Sequence, residues 1–369
     1  MRILHLLASN GWGGAERVAC TLHRLAERHG HTSMLDGPAF PALVSGVASD
    51  TGQQMASASY ERFHLLWALA ARRRRRAFDP DVVHAHLATP GLAGAAWLIA
   101  GRTPIVVTFH LLRRIPRWPR DYFAPVQSER VLARLSRAEP RSAFVTVSAA
   151  DKSYFESVVA DVRPEVVVNA PPLPPLRAPR PVALPFPDGA LKLLSVGRLN
   201  EQKGFDRMLR ALSDPRVRRT PWHWVIVGEG EDRSRLAAQI AETGLQDRVT
   251  LAGFIPAHGL FEQADLVLCP SRFEGMPLVV LEALEAARPV VASRIAPHVE
   301  LLGHVPGSLL PEDDRAWPES LAILFEDGRA RSALRAAEAV VSRAELREKF
   351  WADYLRIYET VARGRGSTT

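Results

Sequence analysis

The sequence predicts an α/β fold with two doubly wound domains, each built on a parallel sheet, that face a central cleft. Three observations support this prediction. Short apolar segments typical of buried strands alternate with segments of helical periodicity, and the alternation starts again after a proline-dense stretch. The length of 369 residues also exceeds what one ordinary hydrophobic core occupies.

The first half begins with a strand, a glycine-rich loop and a helix. Residues 1–8 have the apolar character of a buried strand, SNGWGGAE follows, and RVACTLHRLAERHG has apolar residues at helical spacing and a closing glycine. Further short strands are expected at 81–87 and 104–110, and in SAFVTVSA and PEVVVNA. Strands that alternate with helices indicate a parallel sheet that is covered on both faces.

A proline-dense segment, PPLPPLRAPRPVALPFPDG, occupies residues 171–189. Prolines at this density cannot continue a helix or a central strand, so the segment predicts a semi-rigid linker between domains. We therefore assign residues 1–172 to an N-terminal domain, 173–189 to the linker and 190–350 to a C-terminal domain. Residues 351–369 are expected to form a helix that packs back on the N-terminal domain.

The second half follows the same alternation without repeating the sequence. Its expected strands are LKLLSVGRL, HWVIVGEG, RVTLAGF, ADLVLCPS and RPVVAS. Its expected helices are GFDRMLRAL, DRSRLAAQIAETG and MPLVVLEALEAA, followed by helices from about 317 to 363. Ligands of doubly wound sheets bind at the carboxyl ends of the strands, so two facing domains would enclose one deep cleft.

The composition is that of a soluble globular protein, with 47% hydrophobic and 24% charged residues. The two cysteines, Cys20 and Cys269, lie far apart and lack metal-binding spacing, so we expect reduced core thiols in a cytosolic protein. No signal peptide or transmembrane helix is expected. The longest apolar stretch, LATPGLAGAAWLIA, is shorter than the roughly 20 residues that span a bilayer.

The net charge of +7 comes mostly from arginines in the N-terminal half. Arginines fill positions 72–76 without interruption, and residues 110–137 interleave arginines with apolar and aromatic side chains at Arg113, Arg114, Arg117, Arg120, Trp118, Tyr122 and Phe123. This pattern favours a protein that rests on anionic headgroups at the cytoplasmic face of a membrane. A solvated helix end, and a cleft lining for a soluble acceptor, are the alternatives.

Two cations follow the first strand of the second half. Arg198 and Lys203 flank a loop that leads into a helix near Gly204. Cations beside a helix N-terminus suit a phosphate or diphosphate, and two solvated surface side chains are the alternative. Gly228, at the end of the next strand, would let a ligand approach the backbone closely.

Neither glycine-rich loop completes the dinucleotide fingerprint G-x-G-x-x-G. Arg233 takes the place of the third glycine in VGEGED, and Glu16 takes it in GWGGAE. This disfavours an NAD-dependent oxidoreductase. Gly13 and Gly14 nevertheless precede a helix, and their backbone amides could face an anion.

Three glutamates lie in SRFEGMPLVVLEALEAARPVV. Glu274 precedes a largely apolar helix, Glu282 lies inside it, and Glu285 is nearer its end and better placed for solvent. A carboxylate in an apolar run needs a partner. Carboxylate oxygens accept hydrogen bonds from hydroxyls and the free amides of a helix start donate them, so the site suits a nucleotide sugar. A helix-capping Glu274 and a solvated Glu282 are the alternative.

Together these motifs resemble retaining glycosyltransferases of family 4, which have the GT-B fold of two Rossmann-like domains facing a central cleft. FEGMPLVVLEAL resembles the E-x7-E motif of that family, and SVGRLNEQKGFDRMLRAL resembles its phosphate-binding segment. GWGGAE, VVHAHL, TFH, VTVSAADK and VVVNA match its N-terminal domain in order, and RVTLAGF matches its nucleotide-base strand. The resemblance covers nearly the whole chain.

The resemblance implies roles for individual residues. Arg198 and Lys203 would bind and neutralise a diphosphate. Glu282 would bind ribose hydroxyls, and Glu274 would hold the donor sugar. Further contacts with the donor are implied for His110 at the transferred sugar, for the backbone near Phe254 at the base, and for Gly13, Gly14, Gly228, Gly275, Met276, Pro277 and Leu278.

The implied reaction transfers a hexose, with retention, from a nucleoside-diphosphate sugar to a glycan hydroxyl. UDP-sugars are favoured over GDP-sugars, and the glycan would be lipid-linked or a cell-envelope polysaccharide. No metal, cofactor or nucleic acid is expected. The leaving phosphate oxygen could take the acceptor's proton, so no base is assigned, and the expected place of Glu274 near sugar hydroxyls makes it a poor covalent nucleophile.

Two positions depart from the family pattern. Ala170 and prolines replace the glycine that usually follows the asparagine of VVVNA, and TFHLLRR lacks the acidic residue that often follows this histidine. Three alternatives remain open. They are transfer to a soluble small-molecule acceptor, a non-catalytic nucleotide-sugar-binding protein of the same fold, and a sugar-nucleotide epimerase.

Overall fold

The computed structural model describes residues 1–7, 12–38, 41–52, 64–87, 93–111, 141–159, 162–177, 180–256, 258–338 and 343–364. The chain divides into two compact units. One contains Met1–Ala178 and Ala344–Thr369, and the other contains Pro179–Arg343. The boundaries expected from the sequence alone are residues 172, 189 and 350.

The first unit is built on a parallel sheet. Its strands are β1 (Arg2–Leu7), β2 (Thr32–Asp36), β3 (Val82–Leu87), β4 (Ile105–Phe109), β5 (Ser142–Thr146) and β6 (Glu165–Val166). The strand order is β2-β1-β3-β4-β5-β6, so the order reverses between β1 and β3. Ligands of doubly wound sheets bind at the carboxyl ends of the strands, beside such a reversal.

The helices described in the first unit before its final segment cover this sheet. They are α1 (Gly14–Arg28), α2 (Pro41–Thr51), α3 (His64–Phe78), α4 (Ala93–Ala100) and α5 (Ala149–Val158). Helix α1 follows the expected periodicity, since Val18, Leu22 and Leu25 are all buried along one face. Burial of such faces against the sheet supplies most of the stability of these helices.

Strand β2 is an element that the search for apolar runs misses. Its sequence, TSMLD, has only two apolar residues, yet it pairs with β1 along its whole length. Asp36 at its end is fully buried and accepts bonds from Arg74 Nη2 at 2.7 Å and Trp67 Nε1 at 3.1 Å. Arg74, although part of the arginine run, is therefore the partner of a buried carboxylate.

The second unit has its own parallel sheet. Its strands are β7 (Leu191–Val196), β8 (Trp222–Val227), β9 (Val249–Gly253), β10 (Leu266–Cys269) and β11 (Val290–Ala292). The order is β11-β10-β7-β8-β9, which places β7 beside β10 although two strands separate them in sequence. The order reverses between these two strands.

The helices described in the second unit bury large side chains against this sheet. They are α6 (Phe205–Leu212), α7 (Arg233–Glu242), α8 (Leu278–Glu285), α9 (Ala296–Leu302), α10 (Trp317–Glu326) and α11 (Gly328–Glu338). Trp317 of α10 and Trp224 of strand β8 are fully buried, and each indole N–H has an acceptor, the Pro311 carbonyl at 2.8 Å and Ser195 Oγ at 3.0 Å, respectively. Satisfied indoles allow such large rings to lie in the core.

The proline-rich segment is anchored on both of the units that it connects. Leu173 is buried in the first unit, where the carbonyl of Pro174 accepts a hydrogen bond from Arg24 Nη1 at 2.6 Å. Leu184 is buried in the second unit, and its N–H donates to Gln263 Oε1 at 2.8 Å. Apolar side chains between the prolines provide this anchoring.

The last described helix, α12 (Arg343–Arg363), packs on the first unit. Tyr354 and Tyr358 are completely buried there. The hydroxyl of Tyr358 lies 2.7 Å from His84 Nδ1, and the hydroxyl of Tyr354 lies 2.9 Å from Thr108 Oγ1. Polar contacts therefore join this helix to β3 and β4.

The structure agrees with two further features of the composition. Both cysteines are buried and free. Within the described ranges, no helix combines the length and the apolar character that are needed to cross a bilayer.

Candidate active site

Two loops converge at the carboxyl ends of β7 and β10. Residues 197–204 connect β7 to α6, and residues 270–277 connect β10 to α8. Because the strand order reverses between these strands, this edge is where a doubly wound sheet binds its ligand. The predicted cations and the first glutamate of the E-x7-E motif lie in these loops.

Glycine is required where neighbouring loops touch. Gly204 has a φ of +66°, and a Cβ at this position would lie 2.1 Å from the carbonyl oxygen of Pro270. Gly228 has a φ of +145°, and its Cβ would lie 1.9 Å from the carbonyl oxygen of Gly197. Gly228 therefore supports the loop after β7 by close backbone contact.

The carboxylate of Glu274 joins the two loops. Its Oε1 accepts hydrogen bonds from Lys203 Nζ and from Ser271 Oγ, both at 2.7 Å, and its Oε2 accepts one from Gln202 Nε2 at 3.2 Å. The residue is only 7% exposed. Helix α8 has Pro277 as its N-cap and no side-chain cap bond, so Glu274 does not cap the helix. The helix-capping alternative for Glu274 is wrong.

Lys203 is positioned by its own loop. Its backbone N–H donates to Oδ1 of the buried Asn200 at 3.4 Å, and its side-chain stem packs on Gly197, where a Cβ would lie 3.0 Å from the lysine Cε. The Lys203 side chain is 19% exposed and that of Glu274 is 9% exposed. Such a partly buried pair is screened less by solvent than a surface pair, and removing one partner leaves the other uncompensated.

A second ion pair ties the same two loops together. Both guanidinium Nη atoms of Arg272, in the β10–α8 loop, donate to the carboxylate of Asp206 in the first turn of α6, at 2.6 and 2.7 Å. Burial opposes ionisation of Asp206, but the hydrogen bonds and charge of Arg272 prevail and lower its pKa. The two-point contact fixes how the loops lie against each other.

His298 also lies at this site, and sequence reasoning missed it. It is fully buried in α9 and lines a pocket of about 10 Å³ with Lys203, Ser271 and Glu274, roughly the room of one water molecule. Its Nδ1 lies 2.7 Å from the carbonyl oxygen of Ser293, so Nδ1 donates and Nε2 is left as an acceptor. Burial lowers the pKa of His298 to about 4, although the charge of Glu274 opposes this.

The other predicted residues of the second unit lie around this pair. Arg198 is exposed, five residues before Lys203 in the same loop. Glu282 and Glu285 are both half-buried in α8, so the two side chains differ less in solvent exposure than the sequence predicts. The segment after Glu274 is buried throughout, namely Gly275, Met276, Pro277 and Leu278. Phe254 follows β9 and is 72% exposed, which leaves its aromatic ring accessible.

Three predicted residues belong to the first unit. Gly13 is the N-cap of α1, which begins at Gly14. His110 follows β4 and is half-buried, and burial lowers its pKa to about 4. The segment of interleaved arginines and aromatics lies outside the described residues from position 112 onward.

Distance alone would allow three histidines of the first unit to share a metal ion. Ligand atoms of His5, His84 and His86 all lie within 4.8 Å of one another. Both nitrogens of His84 already contact hydroxyls, however, at 2.7 Å from Tyr358 and 2.7 Å from Thr108. An ion would have to displace one of these bonds, so the cluster fits a hydrogen-bonded layer better than a metal centre.

Two family models match the chain in succession. The model described as Glycosyltransferase Family 4 matches residues 12–187, and the one described as Glycosyl transferases group 1 matches residues 190–327. The Lys203–Glu274 site lies within the second match, and Gly13, Gly14 and His110 lie within the first.

Curated relatives match parts of the chain. It is 28% identical over 254 residues to an alpha-D-kanosaminyltransferase of Streptomyces kanamyceticus, covering 62% of this chain and 63% of that protein. It is 32% identical over 150 residues to the amylovoran biosynthesis glycosyltransferase AmsK of Erwinia amylovora, covering 38% and 37%. The matches therefore span less than two thirds of either relative.

A solved structure matches over the full length. Anabaena HepE, crystallised with UDP and glucose, has a TM-score of 0.71 and 21% identity, and 100% of each chain is covered. This likeness shows the two-domain fold, and the two consecutive family matches identify both halves of the chain as parts of a glycosyltransferase. The chain is a GT-B glycosyltransferase that resembles family 4.

Proposed function

We propose that this protein is a retaining glycosyltransferase that moves a hexose from a nucleoside-diphosphate sugar, UDP-linked rather than GDP-linked, to a hydroxyl of a glycan. The observation that carries this proposal is the Lys203–Glu274 pair at the edge of the second sheet where the strand order reverses. Glu274 also precedes Glu282 by eight residues. HepE, which shares the fold, was crystallised with UDP and glucose, and this supports the choice of donor.

In this proposal the two loops and helix α8 each bind a different part of the donor. Arg198 and Lys203 hold the diphosphate, and Glu282 binds the ribose hydroxyls. The amides of Gly275, Met276 and Leu278 precede or begin helix α8, where backbone N–H groups lack intrahelical acceptors. They and Glu274 hold the hydroxyls of the sugar.

The ion pair is compatible with phosphate binding. The Lys203 ammonium has three N–H groups and uses one for Glu274. The remaining two can donate to diphosphate oxygens without breaking the pair. The carboxylate then fixes where the positive charge stands before the donor arrives, and such preorganised charge is what stabilises a leaving group.

The proposed step breaks the bond between the anomeric carbon and the diphosphate oxygen. The electron pair stays on that oxygen, where Lys203 and Arg198 stabilise the negative charge. The acceptor hydroxyl forms its new bond to the anomeric carbon from the same face, and its proton passes to the leaving phosphate oxygen. The reaction is complete without a dedicated base, a metal or a cofactor, and we include none.

The acceptor we propose is a lipid-linked or cell-envelope glycan. The Erwinia relative is named for amylovoran biosynthesis, which favours a polysaccharide. The Streptomyces relative is named as a kanosaminyltransferase, which favours a soluble small-molecule acceptor as the second candidate. Comparing transfer to isolated lipid-linked glycans with transfer to soluble aminocyclitols separates the two.

We also propose that the first unit rests on the cytoplasmic face of an anionic membrane. Helix α3 and the loop between α4 and β4 line a pocket of about 310 Å³ with Arg72, Arg75, Arg76, Arg102 and Thr103, and no acidic side chain is among the described residues that line it. Four guanidinium groups around one opening favour an anionic ligand. Each contributes about 1 kcal/mol near such a surface.

Sedimentation with vesicles tests this membrane contact. Arg76→Glu with Arg102→Glu reverses two exposed charges of the pocket, and Arg329→Glu with Arg335→Glu makes the same change on α11 of the other unit. At low salt, more wild-type protein should pellet with anionic than with neutral vesicles, and only the first double variant should lose the difference. Equal pelleting of wild type with both vesicles would exclude the membrane contact.

The donor is tested by thermal shift with UDP-, GDP- and ADP-sugars, followed by transfer from the donor that stabilises the protein most. A stabilising donor that is turned over by wild type establishes an enzyme. Binding without any transfer or hydrolysis would favour the non-catalytic alternative, and conversion of the donor without an acceptor would favour an epimerase.

A further inference from the structure

Three histidine rings form a continuous hydrogen-bonded chain in the first unit. His5 Nδ1 lies 3.1 Å from His86 Nε2, and His86 Nδ1 lies 3.3 Å from His110 Nε2. His5 belongs to β1, His86 to β3, and His110 directly follows β4. The three strands are adjacent in the sheet in this order.

The strand register explains why the rings meet. His5 pairs with His84 across the parallel strands, and His86 is two residues further along β3. The side chains of His5, His84 and His86 therefore project from the same face of the sheet. His5 and His86 are 0% and 2% exposed, whereas His110 is half-buried at the strand end. The chain of rings therefore runs from the sheet interior to its carboxyl edge, where the ligand of such a sheet binds.

Burial keeps these rings neutral. Desolvation lowers the pKa of His5 to about 3 and that of His110 to about 4, and it holds the pKa of His86 well below its usual value. A neutral imidazole has one N–H and one lone pair. His86 uses both nitrogens in the chain, so it must accept from one neighbour and donate to the other. One direction of donation therefore runs through all three rings.

The buried end of the chain selects that direction. In the described part of the chain, Nε2 of His5 is buried and has no hydrogen-bond partner. A buried N–H without an acceptor is rarer in proteins than an acceptor without a donor, so Nε2 carries the lone pair. His5 Nδ1 then donates to His86 Nε2, and His86 Nδ1 donates to His110 Nε2. The proton of His110 must lie on Nδ1.

We propose that His86, supported by His5, is a positioning residue that holds His110 as a neutral imidazole with its proton on Nδ1. The consequence for transfer rests on the proposed function, in which His110 meets the donor sugar. Nδ1–H is then the group that donates to a sugar oxygen. A neutral donor also avoids placing a positive charge beside a sugar that itself becomes positive as the diphosphate leaves.

The test compares two histidines of the same strand. His86→Phe removes both bonds of the ring chain. The control, His84→Phe, replaces a ring whose centroid lies 3.9 Å from that of His86, and it removes two bonds to hydroxyls but neither bond of the chain. Protein labelled with ¹⁵N-histidine reports the tautomer of His110 by NMR, with His110→Gln to assign the signals. Turnover with the best donor and the affinity for free nucleotide are measured on the same samples.

We expect wild-type His110 at pH 7 to show a protonated Nδ1 and a bare Nε2, and the control variant to keep this pattern. His86→Phe should mix the two tautomers and lower kcat about tenfold, the loss of one positioned hydrogen bond, while nucleotide affinity changes less than twofold. A wild-type proton on Nε2, or an unchanged His110 in His86→Phe, overturns the proposal. So does one metal ion per chain in elemental analysis, because an ion would occupy the lone pairs. The tautomer is read without donor or acceptor, so failure of transfer would count against the proposed function alone.

Discussion

Lys203 Nζ lies 2.7 Å from Glu274 Oε1, and this contact joins two loops that are 71 residues apart in sequence. The same carboxylate accepts from Ser271 and Gln202. In the proposed reaction, the cation that stabilises the leaving diphosphate is thus held by the acid that binds the donor sugar. The ion pair therefore couples diphosphate binding by Lys203 to sugar binding by Glu274 in the proposed reaction.

Replacing Glu274 by glutamine should lower turnover more than nucleotide affinity. The amide keeps the volume and one acceptor for Ser271, but it removes the charge that positions Lys203. We expect kcat to fall at least tenfold, with the dissociation constant of the nucleotide changed less than threefold, because one charge-assisted hydrogen bond contributes about 1.5–3 kcal/mol. Steady-state kinetics and calorimetry separate the two effects, and an equal loss in both would place Glu274 at the nucleotide instead.

Replacing Glu282 by alanine should weaken donor binding instead. If this carboxylate binds the ribose, its loss should raise the donor's dissociation constant about tenfold or more. Glu285→Ala, three residues later on the same helix and also half-buried, is the matched control and should bind the donor like wild type. Titration calorimetry reports both constants, and identical behaviour of the two variants would remove Glu282 from the site.

The Arg272–Asp206 pair should govern the rigidity of the site. Arg272→Ala removes two hydrogen bonds from the buried carboxylate of Asp206 and leaves it the 3.3 Å contact with Arg210. We expect the second unit to lose about 2 kcal/mol of unfolding free energy and to bind donor more weakly. Arg216→Ala breaks an exposed pair with Asp214 and should leave stability nearly unchanged. Urea unfolding measures both variants, and similar midpoints would show that the buried pair does not hold the loops.

The buried histidines of the first unit should make its folding stability sensitive to acid. The pKa values of His5 and His110 are lowered to about 3 and about 4, so between these values and pH 6.5 the unfolded chain binds more protons than the folded one. The unfolding free energy therefore falls as the pH falls below 6.5, by about 1.4 kcal/mol per pH unit for each such histidine. His5→Phe should reduce the slope of unfolding free energy against pH by the contribution of one histidine, about 1.4 kcal/mol per pH unit. The exposed control His304→Phe should leave this slope unchanged.

Hydrogen exchange of the amides in β1 and β3 at pH 7 and 5.5, corrected for intrinsic rates, follows this dependence in the first unit alone. A stability that does not change between these pH values would show that the buried rings are protonated without cost.

The alternation of strands and helices was predictable because burial on both faces of a parallel sheet demands long apolar runs. Strand β2 was missed for the same reason, since TSMLD has polar residues at three of its five positions. The other strands of both sheets were predicted from local apolar patterns, and the structural likeness to HepE confirms the fold class.

The chemistry of the site was only partly predictable. Lys203 and Glu274 could be named from their motifs, but their contact, like the Arg272–Asp206 pair, joins residues that lie more than 60 positions apart. His298 and the ring chain of His5 and His86 carry no local signal, because single histidines acquire a role only through the packing of strands and helices around them.

Transfer by wild type and by Lys203→Ala tests the central claim most directly. Lys192, at the opposite end of β7, provides the control Lys192→Ala. With a radiolabelled donor, wild type and control should form a glycoside that retains the donor's anomeric configuration by NMR. Lys203→Ala should be about a hundredfold slower, since one preorganised charge at a leaving group contributes about 3 kcal/mol. Lys203→Ala at the wild-type rate, or an inverted product, would contradict the account.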